Sequence, residues 1–315
     1  MEFRFSDVTA ARPVVYRHLP PTPMWSYPAL DAAAGATVFV KHENVQPTGA
    51  FKVRGGFTLL AAMPPADRER GLVTYSTGNH AQSIAYASAV HGVPCTVVMP
   101  AAANPAKVAA VRGRAAEVVL TGDDLEGAQR HAEELAAARG ARLVSPGDTV
   151  ELLGGVGTLY LEIFEAEPDL DAVLVPIGSG TGASAASVVA AGLAPKCRVI
   201  GVQSDASPAA HDSWHTGELQ RRPNRTRVDG LATGRGYVLP QQILAGRLAE
   251  FLLVSDEQIG QAQGLLASHA HTLAEGAGAA GLAAVLARPD LFAGRRVAVV
   301  CTGGNADAAE ISALG

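Results

Sequence analysis

The strongest constraint on the fold is a repeated alternation of short apolar runs with helical patterns. Runs of strand length fall at 36–41, 71–76, 95–99, 117–120 and 142–144. The stretches between them carry helix signals: one runs from the lysine at 52 to about 62, and others cover 79–91, 105–113 and 123–139, the last opening on paired aspartates. The alternation then restarts with a helix over 151–165, a strand over 172–177, a helix over 183–192 and a strand over 198–203. A strand at 251–254, a helix from 257 capped by Ser255, a helix over 279–286 and a strand at 296–301 complete it. Strands separated by helices run parallel, so the chain is expected to be α/β, with open, mostly parallel sheets flanked by helices. The restart near residue 148 implies two lobes about a cleft: 1–71 with 148–315 as the larger domain, and 72–147 as the smaller. The Pro-rich segment 1–35 reads as a surface loop, and 204–240 as a long irregular region.

Composition narrows the partners. Net charge is −5 and there is no basic block, which argues against nucleic acid. Cys95, Cys197 and Cys301 lie far apart, with neither metal-ligand spacing nor a disulfide framework, as suits a reducing cytoplasm. No apolar run reaches the ~20 residues of a membrane span, and the first residues hold no apolar signal core.

Four stretches carry chemistry. In Lys-His-Glu-Asn-Val-Gln-Pro-Thr-Gly-Ala-Phe-Lys at 41–52, turn residues lead from a strand into a helix. Thr48 is a candidate cap for a helix starting near Gly49, with Lys52 in its first turn. Backbone N–H groups and the positive helix end there disfavour a second positive charge and favour the neutral amine that an imine-forming lysine needs. Ser-Thr-Gly-Asn-His at 76–80 opens the next helix, a ready seat for a carboxylate. Gly-Ser-Gly-Thr-Gly at 178–182 follows a buried strand and precedes a helix, as a phosphate cup does. It departs from the dinucleotide fingerprint, since Ala183 takes the sixth place and the next strand ends on Gln203; the Gly-Lys-Ser/Thr of a nucleotide loop is absent as well. Thr-Gly-Gly-Asn at 302–305 ends the last strand with neutral hydrogen-bonding groups. Each stretch alone also fits an ordinary turn. Together they match the aldehyde, phosphate and ring nitrogen of pyridoxal phosphate.

In these motifs the chain resembles the serine/threonine dehydratase (threonine ammonia-lyase) family of fold type II, tryptophan-synthase-β-like pyridoxal phosphate enzymes. The resemblance runs roughly from Thr22 to Asp307. It implies a two-lobed fold in which Lys52 holds the cofactor as a Schiff base, Phe51 packs by its ring and Asn79 bonds its 3′-oxygen. Gly178, Ser179, Gly180, Thr181 and Gly182 would bind the phosphate, and Thr302 rather than Cys301 would face the pyridine nitrogen. Ser76, Thr77, Gly78 and His80 would hold the substrate carboxylate. Glu275 resembles a family glutamate near the ring and equally fits a helix-start carboxylate.

The implied reaction removes water from a β-hydroxy amino acid, L-threonine or L-serine, to give a 2-oxo acid and ammonia, with Lys52 as the base. Three alternatives stay open: a racemase using Thr77 as second proton donor, a β-replacement synthase, and a non-catalytic cofactor-binding protein. The loop over 229–235 resembles the family loop near the substrate side chain, where Arg235 could read a second carboxylate or simply face water. Departures also count. Ser179 and Thr181 interrupt the family's glycine run, and Ala81 stands where glycine is commoner. No metal is expected, because Gln203, Ser207 and Ala209 occupy the positions where cation-binding relatives carry an acidic pair. A homodimer without the family's regulatory domain is expected, taking a small amino acid as its only other partner.

Overall fold

The computed structural model describes residues 2–314; residues 1 and 315, the outer ends of the expected larger domain, lie outside the described residues. In chain order the strands are β1 (Met24–Trp25), β2 (Thr37–His42), β3 (Leu72–Tyr75), β4 (Cys95–Met99), β5 (Glu117–Leu120), β6 (Arg142–Val144), β7 (Ala172–Pro176), β8 (Arg198–Ser204), β9 (Glu250–Val254) and β10 (Arg296–Cys301). They form two sheets, ordered β1-β2-β10-β7-β8-β9 and β5-β4-β3-β6. Every pairing is parallel except β1 with β2. The smaller sheet takes all its strands from the middle of the chain, and the larger from the segments on either side.

The large sheet is covered on both faces, which is why β7 and β10 are continuous apolar runs. Helices Glu151–Ala166 and Thr181–Leu193 pack on one face. Helices Asp256–Ala270 and Gly276–Ala287 pack on the other. Gly276–Ala287 is built of Gly, Ala, Leu and Val and is apolar all round, as a fully buried helix requires.

Helix Val53–Ala62, which follows the lysine, packs against both Glu151–Ala166 and Asn79–His91, so it belongs to the seam between the sheets. The approach is close enough that a Cβ on Gly155 would come within 2.1 Å of the Arg54 carbonyl oxygen. At the start of this helix lies a buried charge cluster. Arg54 donates to both oxygens of Glu43 at 2.7 and 2.8 Å and both of Glu162 at 2.6 and 2.9 Å, and Lys41 bonds Glu162 at 2.5 Å.

One expectation is corrected. Segment 1–35 is not a loop: it contains helices Phe5–Tyr16 and Pro28–Ala34. The first buries Val8, Ala11 and Val15, and its Pro13 and weak apolar pattern hid it from sequence. Helix packing, not local propensity, supplies most helical stability. Segment 204–240 is mostly irregular, as expected, with helix Ala209–Thr216, a 3₁₀ turn at Asp229–Leu231 and the start of helix Val238–Leu244 inside it. No helix among the described residues is long and apolar enough to cross a membrane.

The strand order decides where the motifs meet. The lysine loop follows β2, the 302–305 turn ends β10 and the glycine loop follows β7; these three strands are adjacent and parallel. Their carboxyl ends therefore open on one edge. A bridge between Ala50 and Gly303 ties the first two loops together.

Candidate active site

A cleft of about 680 Å³ lies at that edge. Phe51, Lys52, the 76–80 turn, the 178–182 loop, Glu275 and Thr302 all line it. A second hollow, about 540 Å³, sits by the amino ends of β7 and β8 and holds none of them.

Lys52 is half-buried, and its Nζ donates to Thr181 Oγ1 at 2.7 Å and Ser179 Oγ at 3.1 Å. No carboxylate pairs with it among the described residues. Burial lowers its pKa to about 8. The expected direction holds, and removal from water is its cause here: it brings the neutral amine within reach near pH 7. Thr48 is no helix cap either. The helix begins at Val53 with Lys52 itself in the cap position, and the Thr48 hydroxyl donates to the Ala50 carbonyl at 3.4 Å.

The 76–80 turn leads from β3 into helix Asn79–His91, with Gly78 at its cap. His80 differs from its neighbours. Thr74 Oγ1 lies 2.9 Å from its Nε2 and donates its own proton to the Val144 carbonyl, so Nε2 must carry a proton. Burial drives the His80 pKa down to about 3. The imidazole is therefore neutral, and at this turn only backbone N–H groups and the Ser76 and Thr77 hydroxyls offer bonds to an anion.

Asn79 is pinned from both sides: its Nδ2 donates to Glu275 Oε1 at 2.6 Å, and its Oδ1 accepts from Asn305 Nδ2 at 2.7 Å. Asn305 also donates to the Thr48 carbonyl at 2.9 Å. Glu275 stands at the cap position of helix Gly276–Ala287, yet its carboxyl does not cap that helix. Burial pushes its pKa up to about 7, against the opposing Asn79 bond. Gly303 is required beside it, because a Cβ there would fall 2.4 Å from Glu275 Oε1.

Gly180, at φ +94°, turns the glycine loop into helix Thr181–Leu193. Among the described residues, no group accepts from the N–H of Gly178, Ser179 or Gly180. A row of unpaired donors beside a helix N-terminus is an anion seat. Thr302 lines the cleft, whereas the Cys301 thiol sits in the core against Gly278, and burial pushes its pKa well above the ordinary value. Gln203 is buried, accepting from the His211 N–H at 3.0 Å and lying 3.5 Å from Thr233 Oγ1. Sequence reasoning missed Asn305, although the 302–305 motif ended on it. It also missed Tyr237, Lys107 and Glu310, which line the cleft from elements without local signatures.

Residues 15–303 match the family model described as "Pyridoxal-phosphate dependent enzyme". The chain belongs to this pyridoxal-phosphate-dependent enzyme family. It is 37% identical over 279 residues to an L-threonine ammonia-lyase of Thermotoga maritima, covering 88% of this chain and 69% of that one. It is 35% identical over 296 residues to an L-threo-3-hydroxyaspartate ammonia-lyase of a Pseudomonas species, covering 93% and 92%. The serine racemase structure of Dictyostelium discoideum superposes with a TM-score of 0.90 at 29% identity, covering 97% of this chain and 99% of that one.

This family member is thus an enzyme of fold type II whose cofactor is pyridoxal phosphate. The cleft suits that group. The unpaired loop donors match a phosphate, the amine of Lys52 with its lowered pKa matches an aldehyde, and Thr302 lines the cleft as a neutral group suited to a ring nitrogen.

Proposed function

We propose that the enzyme is a dehydratase that removes water from a β-hydroxy amino acid, L-threonine or L-serine, releasing a 2-oxo acid and ammonia. The observation that carries this reading is Lys52: half-buried, without a carboxylate partner among the described residues, its pKa near 8 and its Nζ resting on the hydroxyls of the glycine loop. The relatives named threonine ammonia-lyase support the same reaction class.

Pyridoxal phosphate, when bound, supplies an aldehyde for amines and a conjugated ring that draws electrons from the substrate α-carbon. The chain's own groups do the rest. Lys52 holds the cofactor and, once free, takes the α-proton at Nζ; a pKa near the working pH lets it both accept and return a proton. The N–H groups of Gly178, Ser179 and Gly180, with the Thr181 hydroxyl and Gly182, bind the phosphate. Ser76, Thr77, Gly78 and the His80 N–H hold the substrate carboxylate. Asn79, kept in place by Glu275 and Asn305, is directed at the ring's 3′-oxygen, with Phe51 beside the ring. Thr302 is a hydroxyl and leaves the ring nitrogen without a charged partner, which disfavours a long-lived negative charge on the α-carbon. Residues 72–147 act as the smaller domain closing one side of the cleft.

A second reading is a dicarboxylic substrate of the hydroxyaspartate type. It is favoured by the likeness to an L-threo-3-hydroxyaspartate ammonia-lyase, with Arg235 as the nearby cation: it stacks on Tyr237, which lines the cleft, at 5.2 Å, and its side chain donates to the neutral Gln129 at 2.9 Å. Racemisation through Thr77 is a third, favoured by the likeness to a serine racemase. A panel of L-threonine, L-serine and L-threo-3-hydroxyaspartate, read as ammonia release with chiral analysis of recovered substrate, separates all three. Failure to release ammonia from every hydroxy amino acid overturns the dehydratase reading.

A further inference from the structure

Helix Gly276–Ala287 presents an unusual arrangement at its start. Glu275 stands where a capping side chain belongs, but its carboxyl turns away to accept from Asn79. A side chain in that position would serve the second or third N–H of the helix, so the first, on Gly276, needs an acceptor from elsewhere in any case. The missing acceptor comes from the far end of the chain: Glu310 Oε1, on the short helix Ala308–Ser312, accepts from the Gly276 N–H at 2.6 Å. The same oxygen accepts from Gln263 Nε2 at 2.8 Å, and that amide nitrogen also donates to the Ala274 carbonyl at 3.0 Å. Glu275 is thereby gripped through both chain neighbours, Ala274 before it and Gly276 after it. Its own N–H donates to the Gly303 carbonyl at 3.0 Å. Glu310, Gln263 and Glu275 line the same cleft.

We propose that Glu310 is a positioning residue for the reaction: by accepting from the Gly276 N–H and from Gln263, which in turn holds the Ala274 carbonyl, it fixes the backbone on both sides of Glu275 and so aims the Glu275 carboxyl at Asn79. The inference rests on the reading of Asn79 as a cofactor contact. Glu310 does a second thing through space. Its negative charge opposes ionisation of Glu275, which is also faced by Asn79, by Lys107 from the smaller sheet's side and by the Asn305 backbone. Lys107 itself pairs with Asp229 across the cleft mouth.

The test compares Glu310→Gln, which keeps the accepting oxygen and removes the charge, with Glu310→Ala, which removes both. Cofactor affinity is measured by absorbance titration of the cofactor-free protein, and the visible spectrum of the holoenzyme is followed from pH 5 to 9. Loss of a charged acceptor to a buried N–H is expected to weaken cofactor affinity or kcat by about tenfold in the alanine variant. The glutamine variant should recover most of that loss, while the spectral transition that reports Glu275 moves to lower pH. An alanine variant with unchanged affinity, kcat and spectral pH profile overturns the proposal. So does a glutamine variant as impaired as alanine with no shift in the spectral transition. Both readouts use the bound cofactor, so they stand even if no hydroxy amino acid is turned over.

Discussion

Two groups of charges, one around Arg54 and one in the cleft around Lys52, meet at the start of helix Val53–Ala62 and behave in opposite ways. Around Arg54, two cations meet two carboxylates, and each charge has an opposite partner within hydrogen-bond reach. Burial alone would push the Glu43 carboxyl up, but Arg54 outweighs it and the net direction is down. In the cleft, Lys52 and Glu275 are half-buried and hydrogen-bond only neutral groups among the described residues, and their pKa values move toward neutrality, to about 8 and about 7. Buried charge that is paired keeps its ionisation and holds the frame; half-buried charge left unpaired becomes able to trade protons near pH 7. The paired cluster sits on the first turn of the helix that carries Lys52, so the rigid group positions the reactive one.

The comparison can be broken at several points. Lys52→Ala should lower ammonia release by at least about 1000-fold. It should leave the melting temperature of the cofactor-free protein unchanged or higher, since an uncompensated half-buried cation is removed; a marked fall would mean that Lys52 belongs with the structural group. Arg54→Ala should do the reverse where stability is concerned, costing about 3–5 kcal/mol in urea unfolding because Glu43 and Glu162 lose their partner. Glu275→Gln keeps the acceptor for Asn79 and removes a carboxyl whose folded pKa is raised. For such a group the folded state is unpenalised below the unfolded value of 4.5 and fully penalised above about 7. The glutamine variant should therefore be more stable by up to about 3 kcal/mol above pH 7, with the gain shrinking to nothing as pH falls through that window. Equal stability at pH 8 and pH 4.5 would mean that Glu275 is not isolated from water. Smallest of all is Glu117→Gln. This pair is close, with Arg139 Nη1 at 2.6 Å, but half-exposed, and its loss should cost less than about 1 kcal/mol and fade in high salt.

Much of the site was legible because its loops need particular residue types: a lysine after a turn, glycines where backbone must approach an anion, hydroxyls at strand ends. The 178–182 loop and the 76–80 turn line the cleft as those types suggest. The cause of the Lys52 pKa was not legible, since burial depends on what packs over the residue. Nor was the state of His80, whose neutrality burial decides and whose Nε2 proton Thr74 and the Val144 carbonyl require. Glu310 left no trace at all, being one carboxylate on a five-residue helix. The N-terminal helix escaped for a related reason: its apolar residues make sense only against helix Glu151–Ala166.

What the chain determined by itself is the alternation of strand and helix, and hence a parallel sheet whose loops gather at one edge. That follows from periodicity and handedness, which act over a few residues. What only the folded molecule decided is the strand order that makes β2, β10 and β7 neighbours, and with it the choice of which buried charges meet a partner. Electrostatic energies inside a protein depend on distances between residues a hundred or more positions apart, as between Arg54 and Glu162, and no local pattern encodes them.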